Sequence, residues 1–317
     1  MASLTSLGTA ATVNTSTASD KRPAPATDYK RSMRLVEARR WAVARRHPGL
    51  WIGGALVLFV VALAIVGPLL APWDPAFQDI EGGLDAHGAP LAPTARHLLG
   101  TDALGRDVLS RMLVGARVSL MVGAVATSIA LGIGVVLGLV SGYARNHVDT
   151  LIMRMTDVVM SFPFLLLCIA LVGIREERGI SNVFLVLGLL GWTTMARVVR
   201  GKVLAEREKE YVEAARALGY SHARILFRHV LPNVIGPVVV LATLGVAAAI
   251  LAESVLSYLG LGVPPPTPSW GAMISEGQPW YRLAPQLVFL PGGLILLTVL
   301  GFNLLGEALR DVLDPRE

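Results

Sequence analysis

The sequence is poor in charge and has almost no cysteine. Asp, Glu, Lys and Arg make up 16% of its 317 residues, against roughly a quarter in an average soluble domain, which argues against an ordinary cytosolic enzyme. A single cysteine, Cys168, excludes an intrachain disulfide and a Cys-ligated metal cluster; it reads as a small buried apolar residue and not as a reactive thiol. Catalytic patterns are missing too. H-E-x-x-H and G-x-S-x-G do not occur. His47, His87, His97, His147, His222 and His229 are scattered without metal-ligand spacing. The phosphate-cradling G-x-x-x-x-G-K-[ST] fails because Val203 follows Gly201-Lys202 and Ala196 stands where the first glycine belongs. The expectation is a chain with no catalytic residue, no metal and no ATP site of its own.

What the sequence does contain is long apolar runs. Apolar residues make up 53% and the mean hydropathy is +0.58. Six stretches carry no Asp, Glu, Lys or Arg: 48–73, 118–144, 158–174, 179–196, 229–252 and 283–306. Each reaches or approaches the ~20 residues a helix needs to cross the hydrocarbon core, so the fold class is all-α, a six-span membrane bundle. The net charge of +5 could suggest nucleic acid in a soluble chain, but its placement explains it better. Nine Lys/Arg precede the first span and eight lie between Arg197 and Arg228. With both termini in the cytoplasm, about twenty Lys/Arg fall inside and seven outside, as the positive-inside rule expects. A nucleic-acid partner is not expected.

Residues 1–47 read as a disordered basic cytoplasmic tail and 48–73 as the first span. Residues 74–117 form an extracytoplasmic segment, too rich in Pro, Gly and carboxylate to span. From Arg106 its apolar residues take helical spacing, predicting an amphipathic helix lying in the interface. Residues 118–312 hold the other five spans and a cytoplasmic loop, 197–229.

Within the spans, Gly134, Gly138 and Gly142 repeat every four residues on one helix face, which permits close approach either within the chain or between subunits. Pro163 can kink the third span. Arg154 and Asp157 share a face and read as a mutual ion pair near the cytoplasmic edge, with a proton relay as the alternative. Glu253 either lines a polar path or snorkels to the outer interface. The cytoplasmic loop reads as helix, stop, helix: Leu204 to Leu218 with a Lys209–Glu213 contact, Gly219 as the stop, and Ser221 capping a second helix that ends before Pro232.

Tyr211-Val212-Glu213-Ala214-Ala215-Arg216-Ala217-Leu218-Gly219, followed by Leu231-Pro232, resembles the cytoplasmic signature of the inner-membrane permease subunits of ATP-binding-cassette importers. His97-Leu98-Leu99-Gly100-Thr101-Asp102, Gly105-Arg106-Asp107-Val108-Leu109-Ser110-Arg111 and Pro268-Ser269-Trp270-Gly271 are similar to the C-type subunit of the dipeptide/oligopeptide branch. The resemblance covers roughly residues 50 to 312 and does not extend to the tail. It implies a type I importer permease fold in the cell inner membrane, and a division of labour. An extracytoplasmic binding protein delivers dipeptides or oligopeptides, with haem a further candidate. A second homologous permease completes the path, and partner ATPase subunits bind ATP and Mg. By the resemblance Tyr211, Glu213, Ala214, Ala215, Gly219, Leu231 and Pro232 couple to the ATPases, while Gly100, Thr101, Asp102, Gly105, Arg106, Asp107 and Arg111 belong to the external signature. A nickel or glutathione importer is the alternative, and a secondary transporter the more distant one.

Overall fold

The computed structural model describes residues 44–45, 47–144, 147–174 and 179–313; the tail expected over 1–47 lies almost wholly outside them. The described residues are mostly helical outside 71–107, with isolated bridges at Leu84–Pro90 and Thr101–Asp107 as their only extended pairing. The helices are α1 (Pro48–Leu70), α2 (Val108–Tyr143), α3 (His147–Met160), α4 (Phe164–Ile174), α5 (Ile180–Glu206), α6 (Glu210–Ala217), α7 (His222–Ile225), α8 (Leu231–Tyr258), α9 (Trp270–Gly277) and α10 (Gln286–Leu313). Five helical stretches are long and apolar enough to cross a membrane; α3 and α4 together make a sixth if counted as one broken span.

The bend between α3 and α4 is 86°. Pro163 immediately precedes α4, where it cannot donate to a preceding turn. The third span is thus an elbow and not the single kinked helix expected over 158–174.

α2 and α5 make the most extensive helix pair in the bundle, and glycine is the reason. A Cβ on Gly134 would lie 2.8 Å from the Trp192 carbonyl, and one on Gly138 2.7 Å from that of Ala196. Gly142 meets Val203, and from the other side Gly188 meets Ile129. The four-residue glycine repeat therefore serves packing within the chain.

α2 runs for 36 residues without interruption, about 54 Å at 1.5 Å per residue. Asp107 caps it, accepting from the Ser110 backbone N–H and hydroxyl at 2.8 Å each. Its first turns do not lie in the interface as expected. Val108, Met112 and Ala116 are buried with Ala64 of α1 and Trp270 of α9 in one hydrophobic cluster. A second cluster joins the middle of α2, the first turns of α5 and the last turns of α8 to α4, and a third closes α6 and α7 over the other ends of α2, α5 and α8. His47 and Asp311, 3.0 Å apart, bring the start of α1 and the end of α10 to the same end of the bundle as α6.

Candidate functional site

The end of the segment between α1 and α2, with the first turn of α2, gathers Asp102, Arg106, Asp107 and Arg111 into a buried knot. Gly100 (φ +79°) and Gly105 (φ +71°) occupy left-handed conformations that ordinary side chains resist, and the turn between them brings Asp102 back to Arg106. Asp102 accepts from the Arg106 Nε at 2.7 Å and from its backbone N–H at 3.0 Å. Arg106 and Arg111 both donate to Oε2 of Glu276 on α9, at 2.6 and 2.7 Å. Arg111 is only 1% exposed. Thr101 donates to the Gly83 carbonyl, and Asp107 lies 2.9 Å from Nδ1 of His97. All seven external-signature residues thus assemble into one structural unit.

A further charged member, Glu276, was not singled out from sequence. No local signal announced it: residues 74–117 hold six carboxylates against four arginines, and Glu276 lies 165 to 170 positions from its two partners. Trp270 locks the same unit from α9, its indole donating to the Met112 carbonyl at 3.1 Å and its backbone N–H to the Ser119 hydroxyl at 3.2 Å.

At the opposite end α6 is clamped between α5 and the α7–α8 run. Val212 and Ala215 are buried, whereas Glu213, Ala214, Ala217 and Leu218 are exposed, Leu218 at 72%. Tyr211 donates to Glu206 at 2.6 Å and accepts from the Asn233 amide at 3.1 Å. Burial, then the Glu206 carboxylate beside it, push the Tyr211 hydroxyl up to about 12, so it remains a donor at physiological pH. Gly219 closes the turn with φ +76° and nothing within 4 Å of a prospective Cβ.

Several expectations for this loop change. α5 continues to Glu206, so α6 begins at Glu210 and not at Leu204. Lys209 pairs with Glu206 at 2.7 Å and not with Glu213. Ser221 does cap α7, but the helix runs on through a π-helical turn, Leu226–Val230, directly into α8; Leu231 and Pro232 lie inside the path of the chain and not in a gap. Pro232 is tolerated because it occupies the first turn of α8.

Two further site residues sit differently from expectation. Glu253 is fully buried on α8, accepting from the Ser257 hydroxyl at 2.6 Å; it does not snorkel to an interface. Arg154 is 78% exposed and 3.9 Å from Asp157, which has a nearer partner in Arg197 at 2.9 Å. The expected intrahelical pair is therefore secondary to a bridge between α3 and α5, and it is too exposed to act as a buried relay.

Comparison with known proteins decides the family. A family model described as "Binding-protein-dependent transport system inner membrane component" matches residues 134–317, and one for the "N-terminal TM domain of oligopeptide transport permease C" matches residues 38–90. The chain is an ATP-binding-cassette importer permease. This permease is 39% identical over 265 residues to the oligopeptide transport system permease protein OppC of Bacillus subtilis, covering 84% of the chain and 85% of the relative. It is 41% identical over 266 residues to the di/tripeptide transport system permease protein DppC of Pseudomonas aeruginosa, with 84% and 88% covered. It is also 40% identical over 276 residues to the glutathione transport system permease protein GsiD of Escherichia coli, with 87% and 89% covered. A solved structure of the MetNI methionine ABC transporter in inward-facing conformations shares the fold, with a TM-score of 0.53 at 18% identity, over 64% of the permease and 96% of that chain.

Among the described residues, two cavities stand out that sequence reasoning did not find. One, of about 370 Å³, lies between the middles of α2, α5 and α8, with Thr127, Thr193, Thr194, Gly191 and Gly245 in its wall and Phe164 of α4 at one side. Its lining residues include no charged side chain, and the buried Thr127 hydroxyl has no hydrogen-bond partner among the described residues. The other, of about 320 Å³, lies towards the Glu276 end, among the ends of α4, α5 and α8 and the chain leading to α9.

Proposed function

We propose that the chain is one of two homologous membrane subunits of an importer for dipeptides or oligopeptides, with α6 as its contact to a cytoplasmic ATPase. The observation that carries this reading is the build of α6. Val212 and Ala215 anchor it from below, so a short helix held between two spans offers an acidic, small-residue face of Glu213, Ala214 and Ala217, with Leu218 beside it. Such a face suits a groove on a partner. ATP and Mg belong to that partner. ATP can shift the populations of an inward- and an outward-open state only through a contact that differs between them.

The concentration of Lys and Arg at the α6 end supports a cytoplasmic position for it and for both termini, with the Asp102–Glu276 knot outside, facing a substrate-binding protein. The uncharged central cavity is this chain's share of the path. The peptide substrate class rests on the relatives, whose names include oligopeptides, di/tripeptides and the tripeptide glutathione.

Gly219 supplies the test. Because nothing crowds its Cβ position, a substitution there changes backbone preference alone. Gly219→Val should cost about 1–2 kcal/mol locally, from the left-handed conformation, while Gly219→Asn should be tolerated. In the reconstituted complex, Gly219→Val should lose uptake and substrate-stimulated ATP hydrolysis without changing substrate affinity for the binding protein. A cysteine at Ala214 should crosslink to the ATPase. Full transport in Gly219→Val with no Ala214 crosslink would reject the coupling role.

A further inference from the structure

The cavity at the Glu276 end is built differently from the central one. Val172 of α4, Asn182 of α5 and Ser257 of α8 form its inner wall, and Pro265 and Thr267 are exposed at its mouth. Asn182 is 4% exposed, and its Oδ1 has no hydrogen-bond partner among the described residues; its amide nitrogen reaches only the Val172 carbonyl, at 3.5 Å. Glu276 reaches the same cavity. Arg106 and Arg111 both donate to its Oε2, so Oε1 takes part in neither bond. The two arginines are balanced by Asp102 and Glu276. No Lys or Arg is among the described lining residues. An unpaired buried acceptor is costly until something donates to it, and the polar wall presents a second acceptor in the Glu276 carboxylate. Its complement is a compact donor with positive charge.

α4, α5 and α8 line both cavities. Asn182 lies five residues before Leu187 of the central cavity, about 7.5 Å along α5. Ser257 lies eight residues beyond Ala249, about 12 Å along α8, and Val172 eight beyond Phe164 on α4. The two cavities therefore lie in file along α4, α5 and α8, with the buried cluster of Cys168, Val183 and Leu256 at the levels between them. This favours a passing substrate over a docked side chain.

We infer that this outer cavity binds the amino-terminal ammonium group of a peptide entering the permease, with Asn182 Oδ1 and Glu276 as acceptors. The inference rests on the peptide-importer reading and deepens it: the substrate is a peptide with a free amino terminus, oriented before it reaches the uncharged central cavity. Asn182 is a binding residue here, and Ser257 shapes the wall behind it.

The test uses the complete complex in proteoliposomes, with trialanine as the transported peptide and loaded binding protein at saturating concentration. Asn182→Leu should lower the maximal uptake rate about tenfold, the loss of one hydrogen bond to a charged group, while Asn182→Asp, which keeps the acceptor, should retain most of it. The concentration of binding protein giving half-maximal uptake should not move. Thr267→Trp, at the exposed mouth, should also lower maximal uptake and keeps the question answerable if Asn182→Leu fails to assemble.

Should the cavity receive a lysine of the binding protein instead, Asn182→Leu would raise that half-maximal concentration and leave saturated uptake unchanged. That outcome overturns the inference, as does wild-type behaviour in both Asn182→Leu and Thr267→Trp. Failure of the importer reading is distinct, because the wild-type complex would then show no ATP-dependent trialanine uptake.

Discussion

Nη2 of Arg111 lies 2.7 Å from Oε2 of Glu276, joining residues 165 positions apart and tying the first turn of α2 to α9. Two buried guanidiniums, those of Arg106 and Arg111, converge on this carboxylate. Removing it leaves both with Asp102 alone. Glu276→Ala should therefore destabilise by on the order of 3 kcal/mol, the cost of stranding buried charge. Asp157→Ala breaks a half-exposed pair with Arg197 and should cost under about 1 kcal/mol. Thermal unfolding of the detergent-solubilised permease measures both. Equal midpoints for the two variants would contradict the buried character of the Glu276 cluster.

The α2–α5 contact predicts a sharp difference between neighbouring glycines. A methyl group at Gly138 would press on the Ala196 carbonyl and on Val199, both at 2.7 Å, whereas Gly132 has nothing within 4 Å. Gly138→Ala should lower stability by about 1–3 kcal/mol through overpacking. Gly132→Ala should be neutral or slightly stabilising, since alanine is the better helix former. Unfolding midpoints of the two variants, compared in one detergent, decide the matter.

Orientation can be checked by labelling. Ala86, between α1 and α2, and Ala217, at the end of α6, are both exposed. A membrane-impermeant thiol reagent added to intact cells with a permeable outer envelope should modify Ala86→Cys and spare Ala217→Cys until the membrane is opened. The native thiol should stay silent, because Cys168 is fully buried. Labelling of Ala217→Cys from outside would reverse the orientation.

Helix positions were legible in the sequence because a bilayer demands apolar runs of a fixed minimum length, and charge-free stretches mark them. The stop at Gly219 and the cap at Ser221 were legible for a local reason: each acts on its own turn. What escaped was set by groups far apart in the chain. Nothing near Arg111 announces that its counter-ion is Glu276. α2 stays buried through Ala116 because α9 brings Trp270 against it, so its early amphipathic spacing signals protein contact and not a headgroup surface. Asp157 was assigned to Arg154 by sequence proximity, yet the shorter bridge to Arg197 required knowing that α3 crosses α5. The two cavities were invisible for the same reason, since each is bounded by three or more helices that meet only in the fold.

The right-angled break before Phe164 has a mechanical meaning. A straight rod passes a push along its axis, but an elbow turns a push into a swing. Here one arm, α3, is bolted to α5: Asp149 accepts from the Arg200 Nε and Nη2 at 2.5 and 2.6 Å and from the Ser141 hydroxyl, and Asp157 accepts from Arg197. The other arm, α4, carries Phe164 at the wall of the central cavity. The two arms of one elbow thus end at different places: one is fixed to α5 at Arg200 and Arg197, and the other forms the wall of the central cavity at Phe164.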